Sequence, residues 1–146
     1  MSLIKIISVG KIKEKYIQTG IEEYQKRLSN KRVELIEIKD MSKEKEGEKI
    51  ISLVEKMNDV LVVALDEHGA EFTSTGFSEF LKKNIDVDIC FIVGGPDGLD
   101  KTVLERVDKI IAISRMTFTH EMARLFLMEQ IYRGLAIIDG KKYHRG

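Results

Sequence analysis

The sequence predicts an α/β fold in which a mostly parallel sheet is flanked by helices. Strand-like and helix-like segments alternate along the 146 residues, which is the order expected of successive β-α units. Two strand-like segments, Val60–Leu65 and Ile89–Val93, are continuously apolar, as expected for parallel strands buried on both faces. The length suits one domain, and we expect residues 1–146 to form it.

The first third of the chain supplies two strands and two helices. Leu3–Val9 is an apolar run of strand length, and Val33–Ile38 alternates apolar and charged residues as a strand with one wet face does. The segments Glu14–Leu28 and Lys43–Met57 place apolar residues every three or four positions. That spacing puts them on one face of an amphipathic helix.

The rest of the chain continues the alternation. A short helix is predicted at Thr75–Lys83, preceded by Thr73 and Ser74 as possible caps, and another at Lys101–Val107. The apolar residues of Lys109–Ile113 predict a strand directly after it.

The last predicted helix, Thr119–Gly134, is apolar on nearly all sides. Its large apolar residues surround the helix axis instead of forming one stripe, so it must be covered on nearly all sides. A sheet covers only one side. The sequence therefore predicts a homodimer that packs through this C-terminal helix.

The composition is that of a soluble globular protein. Hydrophobic residues make up 43% and charged residues 33% of the chain. A single cysteine, Cys90, excludes a disulfide framework and indicates a reducing compartment. The N-terminal apolar run is too short for a signal peptide or a membrane span, so we expect a cytoplasmic protein without membrane contact.

Basic residues concentrate at the two ends of the chain, although the net charge is zero. Residues 1–32 hold eight Lys or Arg against three Glu, and the end adds Lys141, Lys142 and Arg145. The two ends would form one anion-binding patch if the fold brings them together. Lysines solvated on separate helix faces explain the charge pattern equally well.

Two unusual loops follow neighbouring strands. Gly94-Gly95-Pro96-Asp97-Gly98 follows the fourth strand, and Ser114–His120 follows the fifth. Open α/β sheets bind ligands at the carboxyl ends of their strands, and glycines let a backbone approach a ligand closely. An enzyme is therefore the leading interpretation.

Several better-known motifs are excluded. The Walker phosphate loop fails because Asp100 stands where a glycine must precede Lys101, and the glycine spacing does not match a dinucleotide fingerprint. A zinc-protease helix fails because the fourth residue after His120 is Arg124. We interpret His68 as a turn residue and expect no metal. These failures also weigh against a doubly wound nucleotide-binding enzyme.

A series of segments, spread over the whole chain, carries a resemblance to a known family. They are Val9–Tyr16, Glu23–Leu28, Leu65–Gly69, Val93–Leu99, Ser114–His120, Arg124, Glu129–Arg133 and Tyr143–Arg145. In this order and spacing they resemble the RlmH family, the ribosomal large-subunit pseudouridine N3-methyltransferases of the SPOUT class.

The resemblance implies a C-terminal trefoil knot of the SPOUT type and a homodimer packed through the last helix. It also implies S-adenosyl-L-methionine bound in the knot. By position, the cofactor contacts would be Leu65, Gly94, Ile113, Ser114, Arg115, Met116, Thr117 and Phe118, with Gly95 and Gly98 shaping the wall.

The implied substrate is a pseudouridine in a stem-loop of large-subunit ribosomal RNA. His144 would act as base or proton relay, Arg145 would stabilise negative charge or hold a phosphate, and Tyr143 would contact the base. The tail serving only RNA docking is an alternative. Because a chain of zero net charge should bind free RNA poorly, we expect the assembled ribosome as substrate.

Other interpretations stay open. The fold would also suit a non-catalytic ribosome-binding or assembly module, or a methyltransferase acting on transfer RNA. Arg115 and Arg124 are candidates for contacts with RNA phosphates or the cofactor carboxylate. Arg124 suits a structural ion pair nearly as well.

Overall fold

The protein forms a five-stranded sheet with helices on both faces. The structure, a computed structural model, describes residues 2–146. Its elements are β1 (Ile4–Val9), α1 (Lys15–Arg27), β2 (Val33–Ile38), α2 (Lys43–Glu55), β3 (Val60–Glu71), α3 (Ser74–Lys83), β4 (Asp88–Val93), α4 (Lys101–Arg106), β5 (Lys109–Ala112) and α5 (His120–Ile138).

Every strand pairing in the sheet is parallel, and the strand order is β2-β1-β4-β3-β5. Successive residues of each strand point to opposite faces of the sheet, so the protein has two hydrophobic cores, one on each face. The larger core joins the sheet to α1, α3 and α5, with Phe91 and Ile131 fully buried in it. The smaller core joins the other face to α2 and α4. The predicted α/β class with a parallel sheet is confirmed.

The third strand is longer than the sequence predicts. It continues past Leu65 to Glu71, although residues 66–71 are mostly polar. Leu65 and Ala70 both pair with Ile111 of β5, so the residues between them bulge out of the ladder. At Gly69 a Cβ would lie 2.7 Å from the main chain of Ile111. The prediction of a simple turn around His68 was therefore wrong: this segment is a β-bulge.

The last helix also continues past its predicted end at Gly134. Ser78 of α3 donates a hydrogen bond to the Gly134 carbonyl at 2.9 Å, and a Cβ on Gly134 would lie 2.8 Å from Leu81 Cδ1. Gly134 therefore allows α3 and α5 to pack closely and does not end the helix. The helix ends before Gly140, whose φ is +71°, as is usual for a glycine after a helix.

One side of α5 stays partly open in the protomer. Leu127, Met128 and Ile131 are fully buried, whereas Phe126 and Tyr132 keep part of their surface exposed. This agrees with a helix that needs cover on more than one side. The threading of this region through a knot stays a prediction. Across residues 2–146, no helix has both the length and the apolar character to cross a membrane.

Candidate active site

A cavity of about 360 Å³ lies where β4 and β5 end, beside the bulge of β3. Residues at the strand ends and in the loops that follow them line it: Leu65, Asp66, Glu67, Val93, Gly94, Gly95, Pro96, Asp97, Gly98, Leu99, Ile113, Ser114, Met116, Thr117, Phe118, His120 and Ala123. These include every residue predicted for the cofactor except Arg115. The parallel sheet therefore brings the two unusual loops together, as the sequence predicts.

The glycine loop after β4 forms one wall, and its shape depends on the absence of side chains. A Cβ on Gly94 would lie 2.8 Å from the main-chain carbon of Gly98. Gly98 itself has a φ of +77° and donates its N–H to the Gly95 carbonyl at 3.0 Å. Gly95 is buried against Val9 of the neighbouring strand. The loop thus presents main chain to the cavity.

The loop after β5 forms the opposite wall and is tied to the long end of β3. The Thr117 hydroxyl donates to Glu67 Oε2 at 2.5 Å, and Arg115 Nε donates to Glu71 Oε1 at 2.8 Å. The Arg115 side chain therefore points to Glu71 and does not line the cavity. Met116 is 74% exposed at the mouth. The bulged strand is what holds this loop in place.

Helix α5 begins in the cavity wall. Thr119 caps it by accepting a hydrogen bond from Met122 N at 3.2 Å, while His120 and Ala123 line the cavity. The first turn of a helix carries partial positive charge. The carboxylate of an amino-acid ligand would be stabilised at this end of the cavity.

Two charged residues in the first turns of α5 hold the loop between β1 and α1. Arg124 is 7% exposed and donates to the Gly10 carbonyl at 2.7 Å, the Val9 carbonyl at 3.3 Å and Glu37 at 2.9 Å. The alternative in which Arg124 forms a structural ion pair therefore accounts for its contacts in the protomer.

Glu121 is the other residue of this pair, and it accepts hydrogen bonds from the main-chain N–H groups of Lys13 at 3.0 Å and Glu14 at 3.1 Å. Burial, the largest cause, raises the pKa of Glu121, but these two donors and the nearby His120 and Arg124 together outweigh it, so the pKa is lowered. Sequence reasoning did not find this role, because the partners are more than a hundred positions away.

A buried carboxyl group, Glu46 of α2, lies behind the glycine loop. Its Oε2 accepts the Met41 N–H at 2.8 Å, and its Oε1 lies 3.8 Å from where a Cβ of Gly95 would be. Burial raises the pKa of Glu46, the Met41 hydrogen bond opposes this, and a hydrogen bond with Asp40 adds to the increase. Nothing in the local sequence distinguished Glu46 from the exposed glutamates of the same helix.

Two residues of the C-terminal tail, Tyr143 and His144, are held against α5. The Tyr143 hydroxyl hydrogen-bonds to Glu129 Oε2 at 2.8 Å and to the Tyr24 hydroxyl at 3.1 Å. Burial, followed by these two hydrogen bonds, raises the pKa of Tyr143. His144 Nδ1 lies 3.0 Å from Arg133 Nη1. Tyr143 and His144 therefore have defined partners.

Within one protomer the tail and the cavity are far apart. Arg133, which contacts His144, lies thirteen positions after His120 along the same helix. At 1.5 Å per residue this is roughly 20 Å. None of Tyr143, His144 and Arg145 lines the cavity. The predicted catalytic residues and the predicted cofactor residues are thus not brought together within a single chain.

The two basic ends of the chain are neighbours in the structure. Tyr24 of α1 contacts Tyr143 of the tail, and Arg27 lies over the Tyr132 ring at 5.6 Å. Lys31 pairs with Asp139 at the end of α5. The exposed tail residues Lys141 and Lys142 join this surface. We call Lys26, Arg27, Lys141, Lys142 and Arg145 the basic patch.

The comparison with known proteins establishes the family. A family model described as "Predicted SPOUT methyltransferase" matches residues 2–144. The chain belongs to this family. The SPOUT class agrees with the parallel sheet and with the cavity at the carboxyl ends of its strands.

Similar proteins from several organisms match almost the full length of the chain. A protein of Caldicellulosiruptor bescii is 46% identical, covering 98% of this chain and 100% of its own length. One from Prochlorococcus marinus is 42% identical, covering 99% and 97%, respectively. One from Symbiobacterium thermophilum is 37% identical, covering 97% and 99%. Each is named "Ribosomal RNA large subunit methyltransferase H".

The cavity of this SPOUT protein fits S-adenosylmethionine in size and chemistry. Its volume lies within the usual range for small-ligand sites, about 300–1,000 Å³. Main-chain groups of the glycine loop suit an adenine or ribose edge, while Leu65 and Ile113 offer apolar contacts. In the part of the chain that the structure describes, no three His, Cys, Asp or Glu residues cluster as metal ligands.

Proposed function

We propose that this protein is an S-adenosylmethionine-dependent methyltransferase that methylates N3 of a pseudouridine in large-subunit ribosomal RNA. The observation that carries the proposal is the cavity formed by the glycine loop and the loop after β5. Its position suits the cofactor of a SPOUT methyltransferase, and near full-length relatives carry the name of a large-subunit ribosomal RNA methyltransferase.

The complete active site forms in a homodimer. The tail of one chain packs roughly 20 Å along α5 from its own cavity, so a second copy must supply the tail residues. Phe126 and Tyr132 on α5 are only partly covered in the protomer, which supports pairing through this helix. Two α5 helices running antiparallel would set the tail of each chain beside the cavity of the other.

The chemistry at N3 divides between the cavity and the tail. The bound cofactor supplies an electrophilic methyl group on a sulfonium. The cavity walls orient it, and alignment of two reactants can contribute roughly 7–11 kcal/mol. His144 takes the N3 proton, a role worth roughly 10²- to 10⁴-fold. Arg145 stabilises the negative charge that develops on the base, and Tyr143 contacts the base.

The ribosome, in the cytoplasm, is the substrate. The basic patch beside the tail attracts phosphate, yet the chain as a whole has no net charge. We expect few phosphate contacts and weak affinity for free RNA. Assembled subunits would supply further contacts through ribosomal proteins and folded RNA. Equal methylation of a protein-free transcript would contradict this part of the proposal.

The test compares His144→Ala with Lys142→Ala, an exposed substitution two positions away. Mass spectrometry measures methylation of ribosomal RNA, and calorimetry measures binding of S-adenosylmethionine. We expect His144→Ala to bind the cofactor normally and to lose methyl transfer at saturating ribosome. Lys142→Ala should raise KM for the ribosome and keep kcat. Normal kcat for His144→Ala would remove His144 from catalysis and leave the tail a docking element.

A further inference from the structure

The charged residues that line the cavity are almost all acidic. Asp66, Glu67 and Asp97 contribute three carboxylates, while Lys and Arg are absent from the lining residues within 2–146. His120 is the one lining residue able to carry a positive charge. The arginine beside the mouth, Arg115, is paired with Glu71 outside the cavity. Apart from the first turn of α5, the side chains that line the cavity therefore contribute mostly negative charge.

Two of these carboxylates are held in defined positions. Glu67 Oε2 accepts the Thr117 hydroxyl at 2.5 Å, which joins the bulge of β3 to the opposite loop. Asp66 Oδ2 accepts the main-chain N–H of His68 at 2.9 Å, with His68 Nδ1 at 3.1 Å. Asp97 lies exposed at the tip of the glycine loop. The acidic groups thus come from both walls.

The ligand in this cavity changes its charge during the proposed reaction. S-adenosylmethionine carries a sulfonium, an ammonium and a carboxylate, so its net charge is +1. Methyl transfer breaks the sulfur–methyl bond with the electron pair staying on sulfur, forms the N3–carbon bond and passes the N3 proton to the base. The product, S-adenosylhomocysteine, is neutral overall and otherwise has nearly the same shape.

We propose that Glu67 and Asp97, with Asp66, make this cavity select its ligand by charge, favouring the sulfonium cofactor over the neutral product. The inference rests on the proposed function, because it takes S-adenosylmethionine as the ligand. Negative walls attract the cation and lose that attraction once the methyl group has left. The same carboxylates repel the phosphates of adenosine nucleotides and of the RNA backbone. RNA phosphates would therefore bind at the basic patch.

The expected change in affinity is that of one carboxylate charge attracting the cationic ligand through partly solvated surroundings. Removing one carboxylate from a solvent-connected site should weaken binding of a cation roughly three- to tenfold and leave a neutral ligand within about twofold. Because Asp97 is exposed, salt should reduce the preference further. If the cavity selected by shape instead, the preference would not depend on salt and would not change when a carboxylate is replaced by its neutral amide.

The experiment is titration calorimetry of the full-length protein with three probes. S-adenosylmethionine and sinefungin, in which a carbon bearing an ammonium group replaces the methylsulfonium, are cationic at this position, whereas S-adenosylhomocysteine is neutral. The variants are Glu67→Gln, which keeps an oxygen for Thr117, and Asp97→Asn. Glu105→Gln is the matched control, because Glu105 is an exposed carboxylate of α4 outside the cavity.

We expect wild type to bind both cationic probes at least about tenfold more tightly than the neutral product at low salt, because three carboxylates contribute together. Each cavity variant should lose several-fold affinity for the cations and keep its affinity for the product, which also shows that the variant is folded. Glu105→Gln should behave as wild type. Equal loss for all three probes, or no loss, would overturn the charge selection while leaving cofactor binding intact. If none of the probes binds wild type, the proposed function fails as well.

Discussion

Arg124→Met tests whether the first turns of α5 hold the loop after β1 beside the cavity. Methionine replaces most of the buried stem and removes the guanidinium. The Glu37 side chain is 44% exposed, so water can solvate its carboxylate once the guanidinium is removed. The Val9 and Gly10 carbonyls lose their Arg124 donors, at about 1–3 kcal/mol for each acceptor left unpaired. We therefore expect about 3 kcal/mol of destabilisation.

The control is Arg106→Met, because Arg106 pairs with Glu55 at 2.8 Å with both side chains exposed. Such a surface pair contributes about 0–1 kcal/mol. Urea unfolding gives the free energies, and thermal unfolding should show a decrease of roughly 6–12 °C for Arg124→Met. A loss below about 1 kcal/mol, equal to that of the control, would refute the role assigned to Arg124.

Two other substitutions test the walls of the cavity. Gly94→Ala places a Cβ 2.8 Å from the main chain of Gly98, so calorimetry should show cofactor affinity reduced at least about tenfold. Gly140→Ala, at a φ of +71° far along α5, should lower stability by about 1 kcal/mol with normal binding. In wild type, the Glu46 contribution to the free energy of unfolding should decrease as pH rises from 4 to 8. Glu46→Gln should lack this decrease, which urea unfolding at each pH measures. Because the pKa of Glu46 is raised above its ordinary 4.5, the native state holds a proton that the unfolded chain has lost, and stability falls as pH rises through the folded-state pKa. Normal binding by Gly94→Ala, or an unchanged pH profile for Glu46→Gln, would contradict the respective assignment.

The sequence predicts the order and type of all ten elements because the apolar patterns are strong and mostly local. Continuous apolar strands and amphipathic helices need only their own residues to be recognised. The same holds for the two loops that line the cavity, since glycines after a strand and a polar segment before a helix are visible in the sequence. Their convergence follows from the parallel sheet.

Errors arose where distant contacts override local preference. The mostly polar residues 66–71 resemble a turn, but Ala70 and Glu71 pair with β5, so the segment is a bulged strand. Gly134 resembles a helix end, but close packing against Leu81 explains it. The defined position of Tyr143 depends on Tyr24 and Glu129, which no local pattern connects with the tail.

A crystal structure of the protein with S-adenosylmethionine tests the central claim most directly. We expect the adenosine between the glycine loop and residues 113–118, with the methyl group turned toward the tail of a second chain. The adenosine elsewhere in the protein, or a tail that stays far from every methyl group in the dimer, would contradict this account.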